Sequence, residues 1–125
     1  MLEATPEELA DVLGGLIPPV DRAVMTGDFA AFFSESDREA FRTGIWGWYD
    51  DDMAFVREWG FDRGAIQAPV HVWQGALDTM VPFAHGTWLA GRLPTARPHL
   101  FDDDGHLSIT IGRFAEILDA LREPS

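Results

Sequence analysis

The sequence predicts an α/β fold, in which a layer of short helices precedes two parallel strands that alternate with helices. Capping boxes and glycine stops divide residues 1–62 into short helices without any strand pattern. Two short runs with β-branched or apolar residues occur only after residue 62. The stretch between those runs is long enough for the helical crossover that parallel strands require. We therefore expect a helical region at 1–62 and a strand-helix-strand-helix region at 63–125.

The first helices of the N-terminal region have clear start and stop signals. Thr5-Pro6-Glu7-Glu8 combines a capping box with proline at the first helical position, and Gly14-Gly15 ends that helix. Pro18-Pro19 begins a second short helix, which we expect to close at Gly27.

Two more helices follow in the same region. Ser36-Asp37-Arg38-Glu39 is a second capping box, and the helix it starts is expected to stop at Gly44. Asp50-Asp51-Asp52 would place three carboxylates in the first turn of a helix that runs through Trp59, where they favour the positive end of its dipole. Gly60 is the expected C-cap.

The C-terminal region changes pattern. Val70–Gln74 and Arg97–Phe101 are predicted strands, and Pro98 suits an edge strand. A helix is expected from about Phe83 to Leu93, and Ser108 is the predicted cap of a last helix. The apolar positions of that last helix recur at helical spacing: Ile111, Phe114, Leu118 and Leu121.

The composition limits the classes of function that this chain can have. The 125 residues are 46% hydrophobic, which fits a packed chain rather than a disordered one. The net charge of -12 disfavours nucleic acid and anionic lipid as partners, since both would be repelled. The absence of cysteine excludes disulfides, thiol catalysis and Cys-ligated zinc. No apolar run reaches the roughly 20 residues of a membrane span and no signal peptide is visible, so we predict a cytoplasmic location.

Two titratable residues follow the predicted strands and form the candidate catalytic pair. Asp78 lies four residues after Gln74, and His106 lies five residues after Phe101. The carboxyl ends of neighbouring parallel strands meet at one edge of a sheet, so these side chains can touch. An Asp that orients a His is half of a nucleophile–His–Asp triad. On spacing alone, an Asp capping a loop and a His at a turn explain the same residues equally well.

Two longer segments resemble the α/β-hydrolase family. Residues 70–82, ending in Gly75-Ala76-Leu77-Asp78-Thr79-Met80-Val81-Pro82, are similar to the strand and "G-x-x-D-x-x-V-P" loop of that family. Residues 93–96 and Phe101–Leu107 resemble its final strand and "G-H" loop. The resemblance implies the C-terminal part of a hydrolase fold, with residues 1–62 as a helical cap and residues 63–125 as core. It further implies Asp78 as the triad acid and His106 as general base and later general acid.

The sequence departs from that family at the nucleophile. It contains no Gly-x-Ser-x-Gly and no oxyanion-hole loop before one. Ser36 and Ser108 fit helix caps, Ser34 lies at a helix boundary and Ser125 is the last residue. We therefore predict that the isolated chain does not hydrolyse esters and that the nucleophile belongs to a segment outside it. Serine and aspartate nucleophiles both stay open, because the Asp–His pair is similar in both branches of the family.

Two functions remain. The first is a partial hydrolase that acts on a small apolar ester- or amide-like substrate with Asp78 and His106. The second is a catalytically inactive hydrolase piece that serves as a binding or self-associating module, because a two-stranded sheet leaves unpaired edges. Homodimerisation through the strand at 70–74 and docking to a separate N-terminal hydrolase segment are the expected partnerships.

No cofactor or metal site is predicted. The four histidines form no H-E-x-x-H pattern, and the runs of aspartate fit solvated faces. His71 and His99 fall inside strands and His85 falls in a helix, where structural roles explain them best. An aromatic group in the first region is equally consistent with an apolar pocket and with a core: Phe41, Trp46, Trp48, Phe55 and Trp59.

Overall fold

A computed structural model describes residues 17–122 of the chain. In chain order, the elements are α1 (Pro19–Val24), α2 (Gly27–Ala40), α3 (Trp46–Phe55), a 3-10 turn (Arg63–Ala65), β1 (Val70–Gly75), α4 (Phe83–Arg92), β2 (Ala96–Phe101), α5 (His106–Gly112) and α6 (Phe114–Arg122). This order confirms an α/β fold. The predicted helix that begins at the capping box of residues 5–8 lies outside the described residues.

The two strands form one parallel sheet. Val70 pairs with Ala96 and Gly75 pairs with Phe101, so both strands end at the same edge. Helix α4 connects them and packs on both, while α5 packs on β1 and on α1. The parallel pairing and the helical crossover are as predicted, and this topology brings the loops after Gly75 and Phe101 side by side.

The last helix is divided rather than continuous. Helix α5 ends at Gly112 and α6 begins at Phe114, with the N–H of Arg113 still bonded to the carbonyl of Ile109. Ser108 is not the N-cap as predicted, because the helix begins two residues earlier. Its hydroxyl, in the third helical position, instead accepts a hydrogen bond from the N–H of Gly105 at 2.7 Å.

Several boundaries in the helical region also differ from the prediction. Ser36 lies inside α2, where ion pairs three residues apart, Glu35 with Arg38 and Glu39 with Arg42, favour a continuous helix. Gly27 begins α2 instead of closing α1, in a left-handed conformation with φ 55°.

The bounds of helix α3 also differ from the predicted ones. Asp50, Asp51 and Asp52 lie in its middle because it begins four residues earlier than predicted, at Trp46, and it ends at Phe55 rather than Trp59.

The core of the described residues is small. Its fully buried hydrophobic side chains come from the N-terminal segment, the sheet and the flanking helices: Ile17, Ala30, Val72, Leu93 and Ile109. By contrast, Trp46 is 71% exposed and Phe55 is 79% exposed. The aromatic side chains of α3 therefore form neither a core nor a closed pocket within residues 17–122. In that same range no helix has the length and hydrophobicity needed to cross a bilayer.

Candidate functional site

The structure brings the two predicted site residues into contact. Asp78 follows β1 and His106 opens α5, and the loops that carry them lie side by side at the carboxyl edge of the sheet. The Nδ1 atom of His106 is 3.0 Å from Oδ2 of Asp78. This geometry is that of a carboxylate orienting an imidazole, although contact alone does not assign a catalytic role.

Asp78 is held by its own loop. Its side chain is only 4% exposed, and Oδ1 accepts hydrogen bonds from the backbone N–H groups of Met80 and Val81, each at 2.8 Å. Burial alone would raise the pKa of Asp78, but the N–H of Val81, the ring of His106 and the N–H of Met80 together hold that pKa below its ordinary value. The carboxylate is therefore ionised and fixed at neutral pH.

Gln74 is a site residue that the sequence analysis missed. Its buried side-chain amide donates to Oδ2 of Asp78 at 3.0 Å and to the carbonyl of Val81 at 3.1 Å. The amide thus fixes the same carboxylate oxygen that faces His106. A polar residue at the end of an otherwise apolar strand was the available signal, because a buried amide needs hydrogen-bond partners.

The lowered pKa of Asp78 gives a stability prediction with a definite sign. In the unfolded chain this carboxyl titrates near its ordinary value of about 3.9, above its value in the folded protein. Its contribution to stability is therefore complete above that unfolded value and is lost as the pH falls through the folded one. We expect urea unfolding to show that the stability gap between the natural chain and Asp78→Asn narrows from pH 5.5 to pH 2.5. A gap that is constant or widens over that interval would contradict the assignment.

His106 keeps its other ring nitrogen free. Its side chain is 41% exposed, and Nε2 has no hydrogen-bond partner among residues 17–122. A cavity of about 160 Å³ lies beside the pair. Its lining comes from both strand-end loops, β1 and α5: Trp73, Gln74, Asp78, Val81, His106, Ile109 and Thr110. With Nδ1 on the carboxylate, Nε2 is the atom available to exchange a proton with a group in this cavity.

A second acidic residue supports His106 from the N-terminal region. Asp21 in α1 is fully buried, and its carboxylate accepts hydrogen bonds from the backbone N–H groups of His106 at 2.8 Å, Leu107 at 3.0 Å and Ser108 at 2.9 Å. These donors are the first N–H groups of α5, which have no partner inside the helix. Asp21 thus caps α5 from a distant part of the chain and fixes the backbone of His106. Nothing in the local sequence signalled this role.

Two glycines allow the loops to approach one another. A Cβ at Gly105 would lie 2.4 Å from a carboxylate oxygen of Asp21, and a Cβ at Gly75 would lie 2.1 Å from the carbonyl oxygen of Asp104. Neither position has room for a side chain. The glycine before His106 is therefore required for the Asp21 contact.

The serines of the described region supply no nucleophile to this pair. Ser108 Oγ is occupied by the N–H of Gly105, and neither Ser34 nor Ser36, both in α2, hydrogen-bonds to His106. Ser34 Oγ is buried without a hydrogen-bond partner in this structure. Within residues 17–122, no serine hydroxyl therefore contacts the ring of His106.

The remaining histidines lie elsewhere. His71 and His99 face each other across the sheet, with Nδ1 of His71 3.0 Å from Nε2 of His99, and Trp73 stacks on His99 at 4.0 Å. His85 is exposed on α4. Across residues 17–122, no three histidine or acidic side chains converge closely enough to hold a metal ion.

Comparison with known proteins finds a partial similarity to an esterase. The sequence is 43% identical over 49 residues to the pimeloyl-[acyl-carrier protein] methyl ester esterase of Aromatoleum aromaticum (strain DSM 19018 / LMG 30748 / EbN1). The match covers 39% of this chain and 20% of the esterase, so the chain spans about a fifth of that relative's length. No family model matches the sequence. No solved structure matches it either. The similarity supports a hydrolase-like relationship.

Proposed function

We propose that this chain supplies the acid and base of an ester- or amide-hydrolysing site and that a segment outside these 125 residues supplies the nucleophile. The observation that carries the proposal is the fixed Asp78–His106 contact, whose free Nε2 faces a cavity. In this mechanism Nε2 of His106 takes the proton of the nucleophile and later returns it to the leaving group. Asp78 stabilises the imidazolium between those steps.

The partial similarity to an esterase supports the same reaction class. The substrate that the small, partly apolar cavity favours is a small apolar ester or amide, because Trp73, Val81 and Ile109 contribute to its walls. The missing Gly-x-Ser-x-Gly implies that the complete site forms only when another polypeptide segment docks beside His106.

The exposed surface of the chain supports such docking. Phe32, Trp46 and Phe55 are each more than two-thirds exposed. Within the described residues, β1 is hydrogen-bonded on one side only, to β2. An unpaired strand edge and exposed aromatic side chains are features that a further strand and its helices would cover.

A second candidate function rests on the same exposed surface. The chain could serve as a self-associating module without catalysis, with helices α2 and α3 as the associating faces, because Phe32, Trp46 and Phe55 are all more than two-thirds exposed. Light scattering after size-exclusion chromatography separates the candidates. A stable homodimer that does not hydrolyse esters in any form favours the module.

Ester hydrolysis tests the first candidate. We expect no hydrolysis of p-nitrophenyl butyrate by the 125-residue chain above the buffer rate. A version extended by the residues that the upstream DNA encodes in frame is expected to hydrolyse it, with kcat/KM reduced about 1,000-fold or more in His106→Ala. The matched control is His85→Ala, because His85 is an exposed histidine away from the cavity.

Two outcomes would refute parts of this proposal. Activity of the 125-residue chain that disappears in His106→Ala would show that the nucleophile lies inside the chain. Activity of the extended form that survives His106→Ala would show that another residue is the base.

A further inference from the structure

The arginines without an acidic partner converge on one place. Four of the nine arginines form ion pairs with carboxylates in their own helices or in neighbouring loops: Arg38, Arg42, Arg113 and Arg122. Among the residues that the structure describes, Arg57, Arg63 and Arg92 have no carboxylate partner. In a chain of net charge -12, three unpaired cations in one cluster need an explanation.

Two of these arginines, Arg63 and Arg92, lie over two indole rings. The guanidinium of Arg63 lies 5.0 Å from the ring centre of Trp59 and 5.4 Å from that of Trp88. The guanidinium of Arg92 lies 5.3 Å from the same Trp88 ring. A guanidinium that stacks on a ring uses its flat face, so its N–H edges stay available to an anion.

A cavity of about 630 Å³ opens beside Arg63, Trp59 and Trp88. It is lined by the segment before the 3-10 turn and by one side chain of α4: Arg57, Glu58, Trp59, Gly60, Phe61, Arg63 and Trp88. The volume is in the range of small-molecule sites. Trp59 and Trp88 are each about half exposed, at 50% and 46%, so their rings are open to a ligand. We call this site the Arg63 pocket.

We propose that the Arg63 pocket binds a small carboxylate that carries a planar apolar group. The guanidinium edges match the two oxygens of a carboxylate, and the indole rings provide flat apolar walls for the rest of the ligand. Glu58 is the one acidic residue of the lining. Its charge disfavours a dianion such as phosphate and leaves a monoanion as the better match.

This pocket is separate from the Asp78–His106 site. The two cavities share no lining residue. Binding at the Arg63 pocket therefore does not depend on the proposed hydrolysis, and its failure would leave that proposal intact.

Calorimetric titration of the full chain with 2-naphthoate tests the proposal. We expect saturable binding that weakens about tenfold in Arg63→Gln, because one charged hydrogen-bond partner is lost, and that weakens as salt is added. Arg57→Gln is a second test variant, because Arg57 also lines the cavity. Arg42→Gln is the matched control, since Arg42 pairs with Glu39 on an exposed face of the chain. Circular dichroism verifies that each variant is folded.

The neutral 2-naphthylmethanol and inorganic phosphate complete the test. If both bind more weakly than 2-naphthoate, the pocket recognises the charge and the ring together. If the alcohol binds as tightly as 2-naphthoate, the proposed role of the arginines is wrong, and if phosphate binds as tightly, the proposed role of the rings is wrong. Affinity for 2-naphthoate that is unchanged in both Arg63→Gln and Arg57→Gln would overturn the proposal as a whole.

Discussion

Replacing Asp21 with alanine is expected to lower the free energy of unfolding by about 3–5 kcal/mol, since each buried backbone donor left without a partner costs about 1–3 kcal/mol. The carboxylate accepts from three such donors, the N–H groups of His106, Leu107 and Ser108. Its complete burial prevents water from taking over those hydrogen bonds easily. Urea unfolding of the chain followed by far-UV circular dichroism measures the loss.

Two further variants distinguish the loss of stability caused by removing the buried cap from a general effect of removing a negative charge. Asp21→Asn keeps one acceptor oxygen and is expected to lose less stability than Asp21→Ala. Asp28→Ala removes an exposed acid from the first turn of α2 and is expected to change stability by less than about 1 kcal/mol. Hydrogen exchange at residues 106–108 should accelerate in Asp21→Ala alone. Equal losses in Asp21→Ala and Asp28→Ala would refute the role of Asp21 as the cap of α5.

The strands were predictable because their signals are local. β1 carries the β-branched residues Val70 and Val72 and ends at a glycine, and β2 is a short segment that ends in Leu100 and Phe101 after a helical stretch. The observed bounds differ from the predicted strands by one residue at one end of each. Parallel pairing was expected because the connection is long enough for the helical crossover that parallel strands need.

The helix boundaries near Ser36 and Asp50 were predicted wrongly for a physical reason. A capping box describes a good helix start, but it does not prevent an existing helix from continuing when ion pairs favour it. Ser36 is such a case, because Glu35 pairs with Arg38 across it. Local propensity did not decide between a start and a continuation.

Asp78 and His106 could be predicted from the sequence, whereas Asp21 could not. Asp78 and His106 were identified by loop position and family resemblance, and their contact follows from the parallel sheet. Asp21 lies 85 residues before His106 in the chain, and only the packing of α1 on α5 brings them together. No pattern within a short stretch of sequence indicates a contact of that range, so His106 could be identified from the sequence and its anchor Asp21 could not.

Replacing Gly75 with alanine is expected to destabilise the chain by about 3 kcal/mol or more, because overpacking that displaces backbone commonly costs 1–3 kcal/mol and occasionally more. The Cβ would meet the carbonyl oxygen of Asp104 at 2.1 Å and its carbonyl carbon at 2.4 Å. Both are backbone atoms of the neighbouring loop and cannot rotate away. The N–H of Leu77 also donates to that Asp104 carbonyl at 2.9 Å, so separating the loops breaks a hydrogen bond as well.

The same substitution is expected to separate the candidate catalytic pair. The close backbone approach of Gly75 to Asp104 holds the loop of Asp78 against the loop of His106. Gly91→Ala is the matched control: Gly91 lies in α4 with no atom within 4 Å of its added Cβ. In the last turn of α4 that change is expected to stabilise by no more than about 1 kcal/mol. Thermal unfolding measures both variants, and NMR of the His106 ring reports on its contact with Asp78. If the Gly75→Ala chain is as stable to heat as the Gly91→Ala chain, the two loops can separate without a loss of stability. The close approach at the sheet edge would then not be what holds Asp78 and His106 together.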